Sequence, residues 1–383
     1  MAIIPFSYWE QQSFMRYDHI VIGSGIVGLN VAISLKDKFP LARILVLERG
    51  LLTTGATSRN AGFACMGSVT ELLDDLECSS ADEVVQLFED RKKGLEGLKK
   101  RLAYYDIGYV EDGSHELITQ KDAYAVDEIN KLNALLQDVT HKPAFKIANE
   151  KIAAFGFTRG QVHALIENTL EGSVNTGRLL VALQQLCMSR GIEIKTGATV
   201  TKFEEENDRV TVSVTDGFRD AEWLFSCKKL TICTNAFTNK LITGPSVTPG
   251  RGQVLITKPI KDLKFKGIFH FDKGYYYFRE IDGRVLFGGG RNMDINTEAT
   301  TDFALNPAIQ NDLDQKLSTM ILPETSFEID MRWTGIMAFG DTKKPIVKAF
   351  SKNVFGAYRM GGMGVALAYE TANKLAALIT EDH

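Results

Sequence analysis

The sequence predicts a mixed α/β protein of two parts. One opens on a strand–helix–strand unit. The other is built on a large antiparallel sheet. Three observations predict this. A β-branched run, Asp18 to Ile22, leads through closely spaced glycines into a helical pattern and then a second apolar run ending at Glu48. Residues 240–335 are rich in aromatic and β-forming residues, "GQVLITKPI", "GIFHF", "GYYYFRE" and "GRVLFGGG", punctuated by Gly, Pro and Asp-Gly. The chain closes on "MGGMGVALAYETANKLAALI", glycines followed by one amphipathic helix. At 383 residues the chain is too long for one small core and suits two joined domains.

Asp18 to Ile22 reads as a buried strand. After Ser24, the residues Ile26, Val27, Val31, Ala32 and Leu35 recur at helical spacing. Gly23, Gly25 and Gly28 form G-x-G-x-x-G at the junction, the pattern that holds a dinucleotide. Gly23 permits the tight turn, Gly25 lets the backbone approach a pyrophosphate, and Gly28 lets the helix pack close to the strand. The helix start at Ile26 offers unpaired N–H groups and a positive dipole end. The second strand, Arg43 to Leu47, ends at Glu48, with Arg49 beside it. An acid there accepts hydrogen bonds from ribose hydroxyls and repels a 2′-phosphate.

The loop Thr53 to Ala64, "TTGATSRNAGFA", carries Thr57, Ser58, Arg59, Asn60, Ala61 and Gly62. It suits close contact with an extended cofactor or, read alone, a plain surface loop. Further on, "NTGRLLVALQQLCMSRG" predicts a helix with Thr176 as N-cap, an apolar face of Leu179, Leu180, Leu183, Leu186 and Cys187, and Gly191 as its stop. Short strands follow in "IEIKTGATVTKFEE", which contains Val200, and in "DRVTVSVTDG". "KKLTICTNAF" ends in the small polar residues Thr234 and Asn235, where a dinucleotide could pass. Gly361, Gly362, Met363 and Gly364 precede the last helix, whose N-terminus would stabilise negative charge on a ring held there. In the aromatic region, Asp282-Gly283 predicts a hairpin turn. Residues 81–145 show two helical patterns around short strands.

Composition narrows the function. A net charge of −4 excludes a broad polyanion-binding surface, so no nucleic acid is expected. The basic run Arg91 to Arg101, "RKKGLEGLKKR", reads as a solvated helix face balanced by Glu89, Asp90 and Glu96. Five cysteines without metal-like spacing read as reduced thiols of a cytoplasmic protein. Six scattered histidines predict no metal site. Ile20 to Leu35 is too short and glycine-rich to span a bilayer, and it lacks the basic flank and cleavage site of a signal peptide. There is no G-x-S-x-G and no P-loop to support a hydrolase or kinase.

The order of these motifs resembles the FAD-dependent D-amino acid oxidase superfamily, in the branch of glycine oxidase, sarcosine oxidase and gamma-glutamylputrescine oxidase. The resemblance runs from about Asp18 to Ile379. It rests on the glycine fingerprint, "GATSRNAG", "NTGRLLVAL", "ICTNAF", "RGQVLITKP", "YYYFREIDGRVLFGG", "WTGIMAF" and "MGGMGVALA". It implies FAD rather than NAD, held in a discontinuous Rossmann-like domain, and oxidation of a C–N bond in an amine or amino acid by hydride transfer to flavin N5. That chemistry needs alignment more than acid–base groups. The expected FAD domain is 17–80, 155–240 and 335–383. The substrate domain is 81–154 and 241–334, after an N-terminal extension, 1–16.

The resemblance also places Tyr275 over the flavin as a substrate-binding tyrosine, with Tyr277 and Arg279 on the same strand face by alternation. Relatives that oxidise small free amino acids have Gly-x-Arg, the arginine gripping the carboxylate. Here the residues are Gly335-Ile336-Met337. Either the substrate carries no carboxylate there, which favours an amine, secondary amine or larger amino-acid derivative, or Arg279, Arg291 or Arg332 supplies the charge. FAD is expected to be non-covalent, because the branch that attaches it uses a cysteine shortly before the last glycine motif and the last cysteine here is Cys233. Leu286 stands where those oxidases place a lysine for oxygen, so oxygen or another carrier is the acceptor. Two further readings stay open: an FAD enzyme acting on a 2-hydroxy acid or polyol phosphate, with Arg279 and Arg291 forming its cationic pocket, and a flavin-binding module without independent turnover.

Overall fold

In the computed structural model the described residues are 7–158, 160–216, 221–244 and 246–381. Two eight-stranded sheets organise them. In the first, Arg16–Ile22 lies between Ala221–Ile232 and Ile44–Leu47 and runs parallel to both. Val354–Tyr358 and Glu193–Lys195 extend it in parallel on either side, and Ile346–Ala349 closes one edge antiparallel. A hairpin of Ala198–Glu206 and Arg209–Asp216 joins the long strand Ala221–Ile232. Asp216 is the last described residue of that hairpin strand; Gly217, at the end of the expected strand "DRVTVSVTDG", lies outside the described residues, as do residues 1–6 of the N-terminal extension.

The inner stretches Ile20–Ile22 and Ile44–Leu47 are buried on both faces: Val21, Ile44 and Val46 pack under helices, and Ile20, Ile22, Leu45 and Leu47 pack with Val210, Val212 and Val214 of the hairpin. The helix Ile26–Lys38 packs with Thr176–Ser189 and the C-terminal helix Gly364–Glu381 in one core containing Leu29, Ile33, Leu183 and Leu375. The cap of Thr176–Ser189 is Asn175, one residue earlier than expected. Its side-chain oxygen accepts from Arg178 N at 3.0 Å, and asparagine satisfies that orphan N–H as well as threonine does. Gly191 ends the helix at φ +72°.

The second sheet runs Ile329–Phe339, Thr248–Thr257, Arg284–Gly289, Tyr276–Ile281, Ile268–Phe271, Ser114–Ile118, Ala164–Asn168, Phe145–Ile147. Neighbours are antiparallel except Ile268–Phe271 beside Ser114–Ile118, which are parallel. Ala164–Asn168, inside the 155–240 segment, hydrogen-bonds in this sheet. Ile329–Phe339 spans position 335. At the hairpin, Asp282 and Gly283 both have positive φ, 53° and 70°, the type I′ geometry that matches strand twist.

Alternation divides this sheet's two faces. Phe269, Phe271, Tyr276, Phe278 and Phe287 fill a core with Ile309, Leu313 and Leu317, and the rings of Phe269 and Phe278 stack at 4.6 Å. His270 and Tyr277, paired across adjacent strands, therefore face the other way.

The basic run differs from its expectation. It ends the helix Ala81–Arg101, but two of its arginines turn inward. Arg91 is 1% exposed and donates to Met66 O at 2.6 Å. Arg101 donates to Asn30 Oδ1 at 2.7 Å and Ser34 Oγ at 3.0 Å, tying this helix to Ile26–Lys38. Its lysines stay in partly or fully exposed ion pairs such as Lys92–Glu96 and Lys93–Glu89. Among the described residues no helix is long and apolar enough to cross a membrane.

Candidate active site

A cavity of about 810 Å³ reaches from the first parallel strand of one sheet to the far strands of the other. At one end lie Gly23 and Gly25. Gly23 has φ +103°, and a Cβ there would lie 2.8 Å from Cys233 O. Gly28 stands behind the wall, not in it. A Cβ on Gly28 would come within 1.9 Å of Gly23 O, so only glycine lets the helix seat on the turn. Ile26 N–H donates to Thr57 Oγ1 at 2.9 Å, and the first intrahelical bond is Leu29 N to Gly25 O. The first-turn N–H groups between them are the natural anion donors of this helix.

Glu48 is 7% exposed. Its Oε2 accepts from Ser24 N and Oγ at 3.1 and 2.9 Å, and its Oε1 accepts from Gly50 N at 3.0 Å. The carboxylate is thus oriented, with lone pairs to spare toward the cavity it lines. Arg49 lies over the Phe237 ring at 3.8 Å. Val200, Thr234 and Asn235 complete this end. Asn235 sits at φ +48°, and its Oδ1 accepts from Arg359 N at 3.1 Å.

The loop after Thr53 is self-bonded. Ser58 Oγ donates to Thr53 O at 2.7 Å; Asn60 Nδ2 donates to Thr57 O at 2.7 Å, and its Oδ1 accepts from Gly62 N at 2.8 Å. Thr57, Arg59, Asn60 and Ala61 line the cavity; Ser58 and Gly62 do not. Arg59 donates to Thr334 O at 2.9 Å while its own carbonyl accepts from Trp333 Nε1 at 3.0 Å, so the loop is tied to the strand that carries Met337.

Arg279 does not belong among the substrate-facing residues. It is 6% exposed, lies outside the cavity wall, and donates to Gly62 O at 3.1 Å and Val174 O at 2.9 Å. Its guanidinium is spent on these carbonyls, of which Gly62 O also accepts from Val174 N at 2.8 Å. Alternation places it on the Tyr277 face, but two residues further along the strand it lies past the chamber and under the loop. Arg332 is equally committed. Both oxygens of Asp314 accept from it at 2.8 Å, and Gln310 accepts too.

Tyr275, Tyr277 and Met337 all line the cavity. A Cβ placed on Gly252 would lie 3.0 Å from Met337 Cε and 3.7 Å from Tyr277 Oη, so this glycine opens the space those side chains enclose. Burial pushes the Tyr277 hydroxyl up to about 12. The turn Gly361–Gly362, at φ +56° and +85°, brings the start of the last helix to the same place, with Gly362 beside the Met337 sulfur. Met363 and Gly364 line the wall.

Several cavity residues were not singled out from sequence. His270 lines the wall in edge contact with Phe63 at 5.1 Å, and burial lowers it to about 4, so it is a neutral imidazole. Its alternation with Phe269 and Phe271 was the available signal. Phe63 also packs against Tyr277 at 5.7 Å. At the mouth, Lys343 bonds Glu71 at 3.2 Å and Asp75 at 2.5 Å, and Lys273 bonds Asp74 at 2.5 Å. No local pattern announces those pairs, which join segments some two hundred or more residues apart.

Fold and site together define a nucleotide-binding oxidoreductase architecture: a glycine cradle, an acid at the ribose position, and a second glycine turn opening a helix at an aromatic chamber. The chain belongs to the FAD dependent oxidoreductase family, whose model matches residues 18–378. No curated protein sequence matches it. Solved structures share the fold. L-proline dehydrogenase from P. horikoshii is 19% identical with a TM-score of 0.77, over 96% of this chain and 94% of that one. Glycine oxidase from Geobacillus kaustophilus is also 19% identical with a TM-score of 0.77, over 96% and 95%. Iminodiacetate oxidase from Chelativorans sp. BNC1 is 16% identical with a TM-score of 0.76, over 95% of each chain. The residues present fit FAD. The cavity is elongated and at the upper end of the roughly 300–1,000 Å³ usual for ligand sites, and its glycines leave backbone exposed where a pyrophosphate and a ring must approach.

Proposed function

We propose that this enzyme oxidises the C–N bond of an amine or amino-acid derivative, with FAD held non-covalently. The supporting observation is the single cavity that joins the Gly23–Gly25–Glu48 cradle to the chamber of Tyr275, Tyr277 and Met337. FAD, when bound, supplies the hydride acceptor. Around it the protein's task is alignment and exclusion of water. Phe63, Tyr277 and Met337 give apolar walls that disfavour an ammonium ion and favour the neutral amine, the form that gives up hydride. Neutral His270 offers an unprotonated ring rather than a competing cation. The relatives named above are described as acting on proline, glycine and iminodiacetate, all nitrogen compounds, which agrees with this reading.

Two buried thiols support non-covalent attachment. Cys78 lines the cavity as an exposed thiol; Cys65 and Cys233 line it buried, and burial holds Cys65 well above the usual thiol range and Cys233 up to about 12. Neither buried thiol supplies a thiolate.

The test is anaerobic bleaching of the flavin by a panel of amines, amino acids, 2-hydroxy acids and polyol phosphates. Reduction by nitrogen compounds alone is expected. Reduction by hydroxy acids or polyol phosphates instead would overturn the proposal, and bleaching by none of them would favour a flavin-binding module without turnover.

A further inference from the structure

Among the described residues, one cation of the chamber has no hydrogen-bond or ion-pair partner. Arg291 lines the cavity half-buried at the end of the strand Arg284–Gly289. Its guanidinium lies over the Phe339 ring at 4.0 Å. It makes no hydrogen bond and no ion pair with the described residues, and burial lowers its pKa. The carboxylate whose charge acts on it, buried Glu298, is already taken. It receives Arg251 at 2.9 and 2.8 Å, Gln253 at 2.9 Å and Asn306 at 2.9 Å.

The chain is shaped to put Arg291 there. Gly289 has φ +131°, and a Cβ on it would lie 2.1 Å from Tyr275 O; Gly290 follows at φ +75° and donates to the same carbonyl at 3.1 Å. Two glycines thus turn the strand end sharply against Tyr275 and deliver the next side chain into the chamber. Gly250, across the sheet, leaves room for Phe339 beneath the guanidinium: a Cβ there would meet that ring at 2.3 Å. A planar cation stacked on one face keeps its N–H fork free at the edge, the arrangement that suits a carboxylate. Arg279 and Arg332, the other two arginines that could have served, are bonded elsewhere as described.

We infer that Arg291 is the substrate anchor and that it grips a carboxylate, so the substrate is an amino acid and not a simple amine. This rests on the C–N oxidation reading for its chemistry, but not for the binding itself. Leaving such a cation half-buried without an anion is costly, and the substrate's carboxylate supplies the missing partner. The grip also replaces, from a different strand, the cation absent at Met337.

The experiment uses the FAD-loaded enzyme and Arg291→Met, a variant with similar stem length that keeps the packing on Phe339. Benzoate, which no flavin oxidises, is titrated against the flavin spectrum, with benzamide as its uncharged control. Separately, flavin reduction by an amino acid is compared with reduction by the amine it would give on decarboxylation. Loss of a charged hydrogen-bonding partner corresponds to roughly 10- to 100-fold. Benzoate affinity and the amino-acid-to-amine ratio should each fall by about that factor in Arg291→Met, with FAD content unchanged. Unchanged benzoate affinity, or a wild-type enzyme reduced equally well by both substrates, overturns the assignment while leaving C–N oxidation intact. If no nitrogen compound bleaches the flavin, the C–N reading fails, and the benzoate titration still decides whether Arg291 binds an anion.

Discussion

Replacing Arg279 by methionine separates a loop clamp from a substrate ligand. In the structure its guanidinium donates to Gly62 O and Val174 O at 3.1 and 2.9 Å, and its Nε to Glu280 O at 3.2 Å. Hydrogen bonds from a charged donor are worth about 1.5–3 kcal/mol each. Two good ones sum to about 3–6 kcal/mol. Relief of an incompletely paired buried cation offsets part of that, leaving about 3 kcal/mol. Unfolding entropy of about 2.1 cal/mol/K per residue over 383 residues is about 0.8 kcal/mol/K, so the melting temperature should drop about 4 °C. The loosened Gly62 carbonyl belongs to the loop that carries Thr57 and Asn60, so FAD affinity should fall as well. Differential scanning calorimetry and FAD titration of the apoprotein measure both. A variant with wild-type melting and FAD affinity that has lost only substrate reduction would refute the clamp and restore Arg279 as a substrate ligand.

Other outcomes follow from the same geometry. Gly25→Val should abolish FAD binding, because even a Cβ would lie 3.1 Å from Thr57 Oγ1 and the branches would fill the pyrophosphate approach; a yellow, folded variant contradicts this. Acid precipitation should release all the FAD into the supernatant, and flavin left in the pellet would refute the non-covalent reading. Burial raises Glu116 from 4.5 to about 7. The folded state then keeps a proton that the unfolded chain releases, so this stability is complete below about pH 4.5 and is lost as pH rises through about 7. At about 1.4 kcal/mol per pH unit the loss is at most on the order of 3 kcal/mol. Burial raises Glu171 to about 7 as well, so thermal melts should show a fall between pH 5 and 8 that Glu116→Gln reduces in part; an equal slope in both proteins removes Glu116 as a cause.

What the sequence revealed was local. The turn Gly23–Gly28 and the type I′ hairpin at Asp282-Gly283 were legible because a few adjacent residues carry all their backbone requirements. The two faces of the strand Tyr276–Ile281 were legible from alternation, and that pattern put Tyr277 in the chamber. It failed for Arg279, because which end of a face reaches a cavity depends on neighbouring strands and on the loop packed over them. Arg91 and Arg101 looked solvated for a similar reason. Their acceptors, Met66 O and Asn30 Oδ1, lie in distant segments whose approach no charge pattern encodes. Ala164–Asn168 has no local feature that assigns it to one sheet rather than the other; its pairing with Ser114–Ile118 decides. His270 hid in plain alternation among phenylalanines.

The central claim is that carbon–nitrogen oxidation takes place in the chamber of Tyr275, Tyr277 and Met337. The most direct measurement is anaerobic single-turnover reduction of the bound FAD by the best amino acid, with and without deuterium at its α-carbon, followed by product analysis. The account predicts slower flavin reduction with deuterium, and one imine, or the ammonia and 2-oxo acid it hydrolyses to, for each FAD reduced. Flavin reduction without an isotope effect and without release of oxidised nitrogen product would contradict it.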